Sequence, residues 1–359
     1  MGLASRLRGL RVGPVAPLAW LVVVLALDLV TGPAFVPAVL YAIAPLISSV
    51  LLRPLVTAGF AGVAFLLATG SVVKAGDWGT AEAWVPMLDA ALVGGVAVLL
   101  AVVRERREGQ LARMVRIAEV AQRAILPLVP RRIGPVTASV RYVSAAEDAL
   151  VGGDLYDWFQ SDRRVCFIVA DVRGKGIGAV EQAARVIRAF RQSAASLTDP
   201  AKMAAAMSRY LKPFLDDEEF VTAVVMQVVG RGRVTFVSCG HPPPLLVMSQ
   251  DGADLVDLPA GLPLGLGETY MAVTLPWAPG DRFLLYTDGL SEARNAKNEF
   301  LGLEQLGDLV RRAPFSGALD EVLRAVRRHV PGGHFADDLA MVLVENAGQA
   351  GGTSGRPLP

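Results

Sequence analysis

Four acidic motifs in the C-terminal part of the chain could bind metal ions. They are GGDLYDW (152–158), DVRGKG (171–176), YTDGLSEAR (286–294) and ADDLAMVLV (336–344). Each places an aspartate at the end of a strand-like apolar run. Mg²⁺ and Mn²⁺ take oxygen ligands, and carboxylates gathered in one pocket repel one another unless a cation lies between them. The motifs therefore predict a binuclear metal site, and such a site activates water against phosphate esters.

The overall composition indicates that only part of this chain resembles an ordinary soluble domain. Hydrophobic residues make up 53% of the chain and charged residues 19%, and the apolar excess is concentrated upstream of residue 104. The net charge is +1, and no polybasic face stands out that could neutralise many phosphates. We therefore expect no nucleic-acid partner.

The apolar excess forms four runs that predict membrane-spanning helices. They cover 15–31, 34–52, 55–73 and 84–103. Each is near the roughly 20 residues that a spanning helix requires, and short segments rich in glycine and proline separate them. The alternative for the first run is a cleaved signal peptide, but no small-residue cleavage pattern follows it and three more runs do. The pattern favours two helical hairpins.

Basic residues give these predicted spans an orientation. Arginines precede the first run, divide the second from the third and follow the fourth: Arg6, Arg8, Arg11, Arg53, Arg104, Arg106 and Arg107. Because basic loops remain on the cytoplasmic side, we expect a multi-pass cell-membrane protein with both termini in the cytoplasm. Trp78 and Trp84 would then lie at the outer interface.

Asp28 and Asp89 are the acidic residues inside the apolar runs. Carboxylates within a membrane are candidate functional groups, so one interpretation is a cation or ligand sensor. The other is a pair of interfacial residues whose side chains reach water. The second is favoured because neither residue lies at the bilayer centre.

The segment after the fourth run has the spacing of an amphipathic helix that ends at Pro127 and Pro130. Its apolar positions include Leu111, Met114 and Ile125. One interpretation is a signalling linker that forms a short coiled coil in a homodimer. The alternative is a helix packed on its own domain.

Beyond Pro135 the pattern changes to short β-rich runs separated by helical stretches. The expected strands are 137–142, 165–172, 223–229, 233–238, 245–248, 271–275, 282–286 and 340–345, and the expected helices are 176–196, 199–215, 303–313 and 316–330. This order predicts an α+β fold in which helices cover a pair of mainly antiparallel sheets.

The motifs and their order resemble the PPM-type protein phosphatases of the SpoIIE and RsbU branch, over about residues 120 to 345. The matching blocks are QRAILP (122–127), GGDLYDW, DVRGKG, SCGHPPPLL (238–246), PLGLG (263–267), PGDRFLLYTDGLSEARN (279–295) and FADDLAMVLV (335–344). The resemblance implies a β-sandwich flanked by helices and a phosphoserine/phosphothreonine phosphatase with two Mn²⁺ or Mg²⁺ ions. Such enzymes typically act on phosphorylated anti-anti-sigma factors.

Carried over onto this chain, the resemblance implies a set of catalytic metal ligands. They are Asp154, Asp171 with the backbone carbonyl of Val172, Asp288 and Asp337. Asp171 is the expected bridge between the two ions. Asp338 is a further candidate ligand that could instead orient Asp337 or hold the strand start, and Asp157 could support the ligands from behind. Taken singly, each aspartate could also be a simple turn former.

Three further residues are candidates for contact with substrate. His241 follows a strand in a rigid loop and is either structural or a general acid. Arg173 stands where the family often has serine, and it either contacts phosphate or points to solvent. Lys175 lies in the same DVRGKG motif. Cys166 and Cys239 have the pattern of small core residues, so we expect neither a nucleophile nor a disulfide.

The sequence thus predicts a membrane-anchored, metal-dependent serine/threonine phosphatase acting on a phosphorylated regulatory protein. The expected segments are a cytoplasmic N-terminus (1–14), a four-helix membrane domain (15–103), a linker helix (104–130), a phosphatase domain (131–346) and a disordered tail (347–359). The alternative function is a catalytically silent membrane receptor that uses the phosphatase fold to bind a partner. The intact set of carboxylates opposes that alternative.

Overall fold

The computed structural model describes residues 13–31, 38–76, 79–144, 152–216, 218–230, 232–250, 252–333 and 335–348. Three arginines expected to orient the first span (Arg6, Arg8 and Arg11), Trp78 and the tail beyond residue 348 lie outside these residues. The chain divides into two compact units, Met1–Arg113 and Met114–Pro359.

The first unit consists of apolar helices. They are α1 (Val15–Thr31), α2 (Ala38–Tyr41), α3 (Ile43–Leu51), α4 (Pro54–Ala75) and the first part of α5 (Ala81–Ile125). Among the described residues, two helices, Pro54–Ala75 and Trp84–Gln122, are long and apolar enough to cross a membrane. Four such spans were expected, so the described helices supply two candidate spans and the four-span prediction is not confirmed.

The helices at the other two predicted spans are shorter than the roughly 20 residues that a membrane-spanning helix requires. Helix α1 has 17 residues, which is at the lower limit for crossing about 30 Å of hydrocarbon. The second run is divided at Ala42 into α2 and α3. Pro45 follows this break, and a proline has no N–H to donate and its ring clashes with the carbonyl four residues earlier, which here is Tyr41. Hydropathy alone does not reveal this interruption.

Asp28 belongs to a polar cluster within the first unit. Its carboxylate lies 2.6 Å from the Lys74 Nζ and accepts a 3.1 Å hydrogen bond from the Tyr41 hydroxyl. Only 5% of Asp28 is exposed, so the carboxylate is shielded from solvent by the helices and paired with a cation. Asp89 differs, because one of its carboxylate oxygens is buried without a hydrogen-bond partner among the described residues.

The second unit contains two antiparallel sheets. Its strands are β1 (Arg132–Ile133), β2 (Val136–Val143), β3 (Leu155–Ser161), β4 (Arg164–Val172), β5 (Val221–Val229), β6 (Arg233–Cys239), β7 (Leu245–Val247), β8 (Ala253–Leu255), β9 (Ala272–Pro276), β10 (Arg282–Tyr286) and β11 (Leu339–Asn346). One sheet has the order β1-β2-β11-β10-β7-β8 and the other β3-β4-β5-β6-β9. The eight expected strands are present with ends within two residues, and β1, β3 and β8 were not predicted.

Helices cover the outer face of each sheet. They are α6 (Ile177–Ser196), α7 (Pro200–Leu211) with a 3₁₀ turn (Lys212–Phe214), α8 (Asp288–Ser291), α9 (Leu303–Arg312), α10 (Phe315–His329) and a second 3₁₀ turn (Pro331–Gly333). Helices α6 and α7 pack on the β3–β9 sheet, and α9 and α10 on the other. The expected α+β sandwich flanked by helices is therefore confirmed.

Local sequence explains where these helices begin and which face they bury. Asp199 caps α7 by accepting a 2.9 Å hydrogen bond from the backbone N–H of Ala201, and Pro200 occupies the first helical position. In α6, Ala183, Val186 and Phe190 are buried at helical spacing against the sheet.

Aromatic residues fill the space between the two sheets. Phe236 of one sheet and Phe283 of the other lie edge to face with ring centroids 4.8 Å apart, and Trp277 packs against Phe283. All three belong to one continuous apolar cluster. This core fixes the sheets relative to each other, so the strand ends at the rim of the sandwich are also fixed.

Replacement of Phe236 by alanine should destabilise the second unit by about 3–5 kcal/mol, because a fully buried ring is lost and a cavity remains. Phe300 is 53% exposed, so Phe300→Ala is the control and should cost less than about 1 kcal/mol. Pulse proteolysis across a guanidinium series measures both values. Equal losses for the two variants would contradict the assigned core.

Candidate metal centre

Strand pairing brings the predicted aspartates to one end of the sandwich. Leu155 of β3 pairs with Ala170 of β4, so Asp154 and Asp171 extend from the same end of this hairpin. In the other sheet Tyr286 of β10 pairs with Met341 of β11. Asp288 follows β10 and Asp337 precedes β11, so antiparallel pairing again brings distant carboxylates together.

Asp154, Asp171 and Asp288 form a compact group that could hold a metal ion. One carboxylate oxygen from each lies within 4.8 Å of the others. Asp154 is buried, and the other two are partly exposed. Asp337 is not part of this group of three, and its carboxylate forms a 2.9 Å ion pair with the Lys175 Nζ.

The glycines before Asp154 permit a close backbone approach. A Cβ atom on Gly153 would lie 2.1 Å from the carbonyl oxygen of Val172, and one on Gly152 would lie 2.7 Å from the Asp338 carboxylate. The backbone N–H of Val172 also donates to the Gly153 carbonyl over 3.3 Å. Only glycine fits at position 153, where the neighbour is backbone, and a side chain at position 152 would displace the Asp338 carboxylate. The Val172 carbonyl expected as a ligand therefore lies directly against the GGD turn.

The carboxylates oppose one another electrostatically. Burial, followed by the charges of Asp288 and Asp337, raises the pKa of Asp171 to about 7. Burial and then the neighbouring Asp171 raise the pKa of Asp154 well above its usual range. Burial and Asp337 also raise the pKa of Asp288. A divalent cation would relieve this repulsion, and the donors are the oxygen ligands that Mg²⁺ and Mn²⁺ prefer.

Thr287 supports this group and was not predicted from the sequence. Its hydroxyl donates a 2.5 Å hydrogen bond to the Asp154 carboxylate, and it accepts one of 2.9 Å from the backbone N–H of Ala340. Thr287 is fully buried. The signal available in the sequence was its place beside Asp288 in the YTDG motif, but its contact with Asp154 spans 133 positions.

Asp338 is held by protein donors. Its carboxylate accepts hydrogen bonds from the Tyr142 hydroxyl, the backbone N–H of Gly152 at 3.1 Å and the Ser144 hydroxyl at 3.3 Å. The residue is only 2% exposed. This placement matches the predicted supporting role at the strand start better than direct coordination.

Asp157 and Arg173 lie outside the carboxylate group. Asp157 is buried on β3 and forms a 2.7 Å ion pair with Arg191 of α6. The Arg173 guanidinium hydrogen-bonds to the Glu218 carbonyl and stacks on the Phe220 ring, 5.4 Å from its centroid. Both side chains therefore fasten neighbouring elements, and Arg173 is engaged with the 218–220 loop.

His241 connects the two sheets beside the centre. Its Nε2 lies 3.0 Å from the Tyr286 carbonyl and its Nδ1 lies 2.9 Å from the Thr222 hydroxyl. Nε2 must donate to that carbonyl, so Nδ1 accepts from Thr222. Burial lowers the pKa of His241 to about 4. A neutral ring with both nitrogens engaged fits the structural interpretation and has no free proton for a general acid.

Comparison with known proteins agrees with this architecture. The family model for Stage II sporulation protein E (SpoIIE) matches residues 161–346. The phosphoserine phosphatase RsbP of Bacillus subtilis is 26% identical over 212 residues, which are 57% of this chain and 51% of RsbP. This chain thus spans about half the length of that relative.

Two solved structures show the same fold. The RsbU and RsbW domains of a Mycobacterium tuberculosis protein match with a TM-score of 0.53 and 25% identity, over 61% of each chain. The SiaA-PP2C domain of Pseudomonas aeruginosa matches with a TM-score of 0.57 and 19% identity, over 67% of this chain and 98% of that domain. The second unit has a PPM (PP2C) phosphatase fold, and the chain belongs to the SpoIIE family.

The raised pKa values predict how the metal-free protein responds to pH. The folded pKa of Asp171, about 7, exceeds the unfolded value of 3.8, so the folded state binds the proton more tightly. Stability from this group is full at low pH and is lost as pH rises from about 4 through 7. In EDTA, the melting temperature should fall by on the order of 5 °C across this window.

Asp171→Asn should flatten this dependence and stabilise the metal-free protein at pH 8, because it removes one repelling charge. Asp162→Asn, at an exposed turn position between β3 and β4, is the matched control and should leave the profile unchanged. Differential scanning calorimetry measures both. A melting temperature that rises with pH in wild type and in both variants alike would show that repulsion between the carboxylates does not destabilise the folded protein.

Proposed function

We propose that this protein is a Mn²⁺- or Mg²⁺-dependent phosphatase that hydrolyses phosphoserine or phosphothreonine on a regulatory protein. The observation that carries the proposal is the group of Asp154, Asp171 and Asp288, whose carboxylate oxygens lie within 4.8 Å at the shared end of two sheets. Membership of the SpoIIE family supports the same conclusion.

The ligand assignment follows from the positions of the carboxylates. Asp154, Asp171 and Asp288 would hold two divalent cations, and the Val172 carbonyl would add a backbone ligand. Asp337 would join when a cation competes with Lys175 for its carboxylate. When bound, the cations would lower the pKa of a water molecule and neutralise charge on the phosphoryl oxygens.

The chain's own side chains would orient these groups and balance their charge. Thr287 holds one oxygen of Asp154, so the other oxygen is left to face the cluster. The Lys175 ammonium, released from Asp337, would stay within reach of an incoming phosphate. A compact cation with three donors suits that task.

The relatives suggest the class of substrate. RsbP is named a phosphoserine phosphatase. Together with the resemblance of the motifs to the SpoIIE and RsbU branch, this name leads us to propose a phosphorylated protein of the anti-anti-sigma type as the substrate of this chain.

The test of the activity uses p-nitrophenyl phosphate with the full-length protein. We expect Mn²⁺-dependent hydrolysis that Asp171→Ala reduces at least about 10²-fold, since the variant lacks one of the proposed metal ligands. Asp162→Ala should retain wild-type rates. Activity that persists in Asp171→Ala at unchanged metal content would refute the ligand assignment. A wild-type protein that binds Mn²⁺ without hydrolysis would favour the silent-receptor alternative.

We also propose that the first unit crosses the membrane four times, with both termini in the cytoplasm. The 2.6 Å contact between Asp28 and Lys74 supports this arrangement, because it joins the C-terminal parts of α1 and α4. At the other end, the Arg104 guanidinium donates a 2.5 Å hydrogen bond to the Leu52 carbonyl. If α4 crosses the membrane, α1 crosses beside it, and residues 52 and 104 share the inner side.

Cysteine labelling in intact cells distinguishes four spans from two. Gly32→Cys should react with a membrane-impermeant maleimide, because four spans place residue 32 outside, whereas two spans leave it inside. Asp77→Cys should react and Arg53→Cys should not under either topology. The native cysteines, Cys166 and Cys239, are buried and give a low background. An unreactive Gly32→Cys beside a reactive Asp77→Cys would eliminate the four-span topology.

The contacts of the linker helix support packing on its own domain, and they leave an exposed face that could form a coiled coil in a homodimer. Ala118 and Ile125 pack against Val180 of α6, as expected for a helix that covers its own domain. Ile117 and Val120 remain 64% and 65% exposed. A homodimer through the linker would use this second face.

A further inference from the structure

Gln122 is a buried amide on the face of α5 that packs on its own domain. Only 2% of the residue is exposed. Its Nε2 lies within hydrogen-bond distance of three oxygens: the Tyr142 hydroxyl at 2.6 Å, the Gly152 carbonyl at 3.1 Å and the Asp154 carbonyl at 3.3 Å. Because the amide has two hydrogens, one of them is shared between two of these acceptors. Because a buried polar group without partners is costly, an amide in this position indicates that these contacts are needed.

The three acceptors lie around the GGD turn. Gly152 and Asp154 flank Gly153, whose backbone contacts the Val172 carbonyl. The carbonyls held by Gln122 therefore bracket the short segment that aims the Asp154 carboxylate at the metal position. The third acceptor, the Tyr142 hydroxyl, donates in turn to Asp338.

These contacts close into a ring. Gln122 donates to Tyr142, Tyr142 donates to Asp338, Asp338 accepts from the Gly152 N–H, and the Gly152 carbonyl accepts from Gln122. The four residues come from α5, β2, the segment before β11 and the GGD turn. A displacement of any one of them strains both of the contacts that it makes in the ring.

We propose that Gln122 is a positioning residue for the metal centre: by holding the backbone on both sides of Gly153, the end of helix α5 sets the affinity of Asp154 and its neighbours for divalent cations. This inference rests on the proposed metal-dependent phosphatase function. It implies that a shift of the α5 end relative to the GGD turn lowers metal occupancy.

The test compares variants that keep the helix but change the donor. Gln122→Glu preserves the size and shape of the side chain, removes the donated hydrogen bonds and turns acceptor oxygens toward the Gly152 and Asp154 carbonyls. Gln110→Glu is the matched control, since Gln110 is exposed on the same helix. The Mn²⁺ dissociation constant of each full-length protein is measured by electron paramagnetic resonance of free Mn²⁺, and its melting temperature is measured in EDTA.

We expect Gln122→Glu to raise the Mn²⁺ dissociation constant by about 10-fold or more, as for other groups that orient metal ligands. The Mn²⁺ concentration for half-maximal hydrolysis should rise in parallel, and kcat should recover at saturating Mn²⁺. Gln110→Glu should match wild type in every measurement. A merely structural role would lower the melting temperature without changing the dissociation constant, and that result would overturn the proposal.

Tyr142→Phe keeps the test decisive if Gln122→Glu folds poorly. It removes one donor to Asp338 and leaves the packing of α5 on α6 intact, and we expect a several-fold rise in the dissociation constant. An unchanged value would overturn the role of the ring. Failure of the proposed function is recognised separately, because wild type would then show no Mn²⁺-dependent hydrolysis whatever the affinities of the variants.

Discussion

Mutual repulsion among carboxylates is the constraint on which the second unit depends. One carboxylate oxygen from each of Asp154, Asp171 and Asp288 lies within 4.8 Å of the others. The repulsion between their negative charges would move them apart if the backbone were free to shift. Two sheets with a shared apolar core prevent that separation. The interlocked rings of Phe236 and Phe283 therefore contribute to function as well as to stability, because they fix strand ends that would otherwise move apart.

The same constraint explains which parts of the site could be predicted from the sequence. The sequence offers a local pattern at each of these positions: Asp154 follows two glycines, Asp171 ends an apolar run, and Asp288 follows an apolar run and precedes a glycine. The three were predicted for that reason, and the fold brings them together. Residues that hold these ligands have no local pattern. The hydrogen bond from Thr287 to Asp154 spans 133 positions, and that from Tyr142 to Asp338 spans 196. Such contacts depend on the order of the strands in each sheet, and local sequence patterns do not reveal that order.

Elements were missed where a polar residue interrupts the expected pattern. Strand β3 carries Asp157 at a fully buried position, which conflicts with a simple alternation of apolar and polar residues. Arg191, 34 positions away on α6, supplies the charge that makes this burial tolerable. In the first unit, hydropathy predicted a continuous second span because composition does not register the helix break before Pro45. The ion pair between Asp28 and Lys74 was missed for the same reason as Thr287, since the partners are 46 positions apart.

Residues that depart from the usual pattern of buried apolar and exposed polar side chains cluster beside the candidate metal centre. Gln122 is a polar residue on a packed helix face, Asp338 is a buried carboxylate, and the two glycines of the GGD turn leave no room for a side chain. Each is unfavourable alone, and contacts among them and with Tyr142 and Ser144 compensate for that cost. A sequence selected for stability alone could replace this ring by apolar side chains at little cost. Its presence beside the carboxylates is therefore best explained by the need to hold one backbone segment in a fixed position, and the geometry of Asp154 depends on that segment.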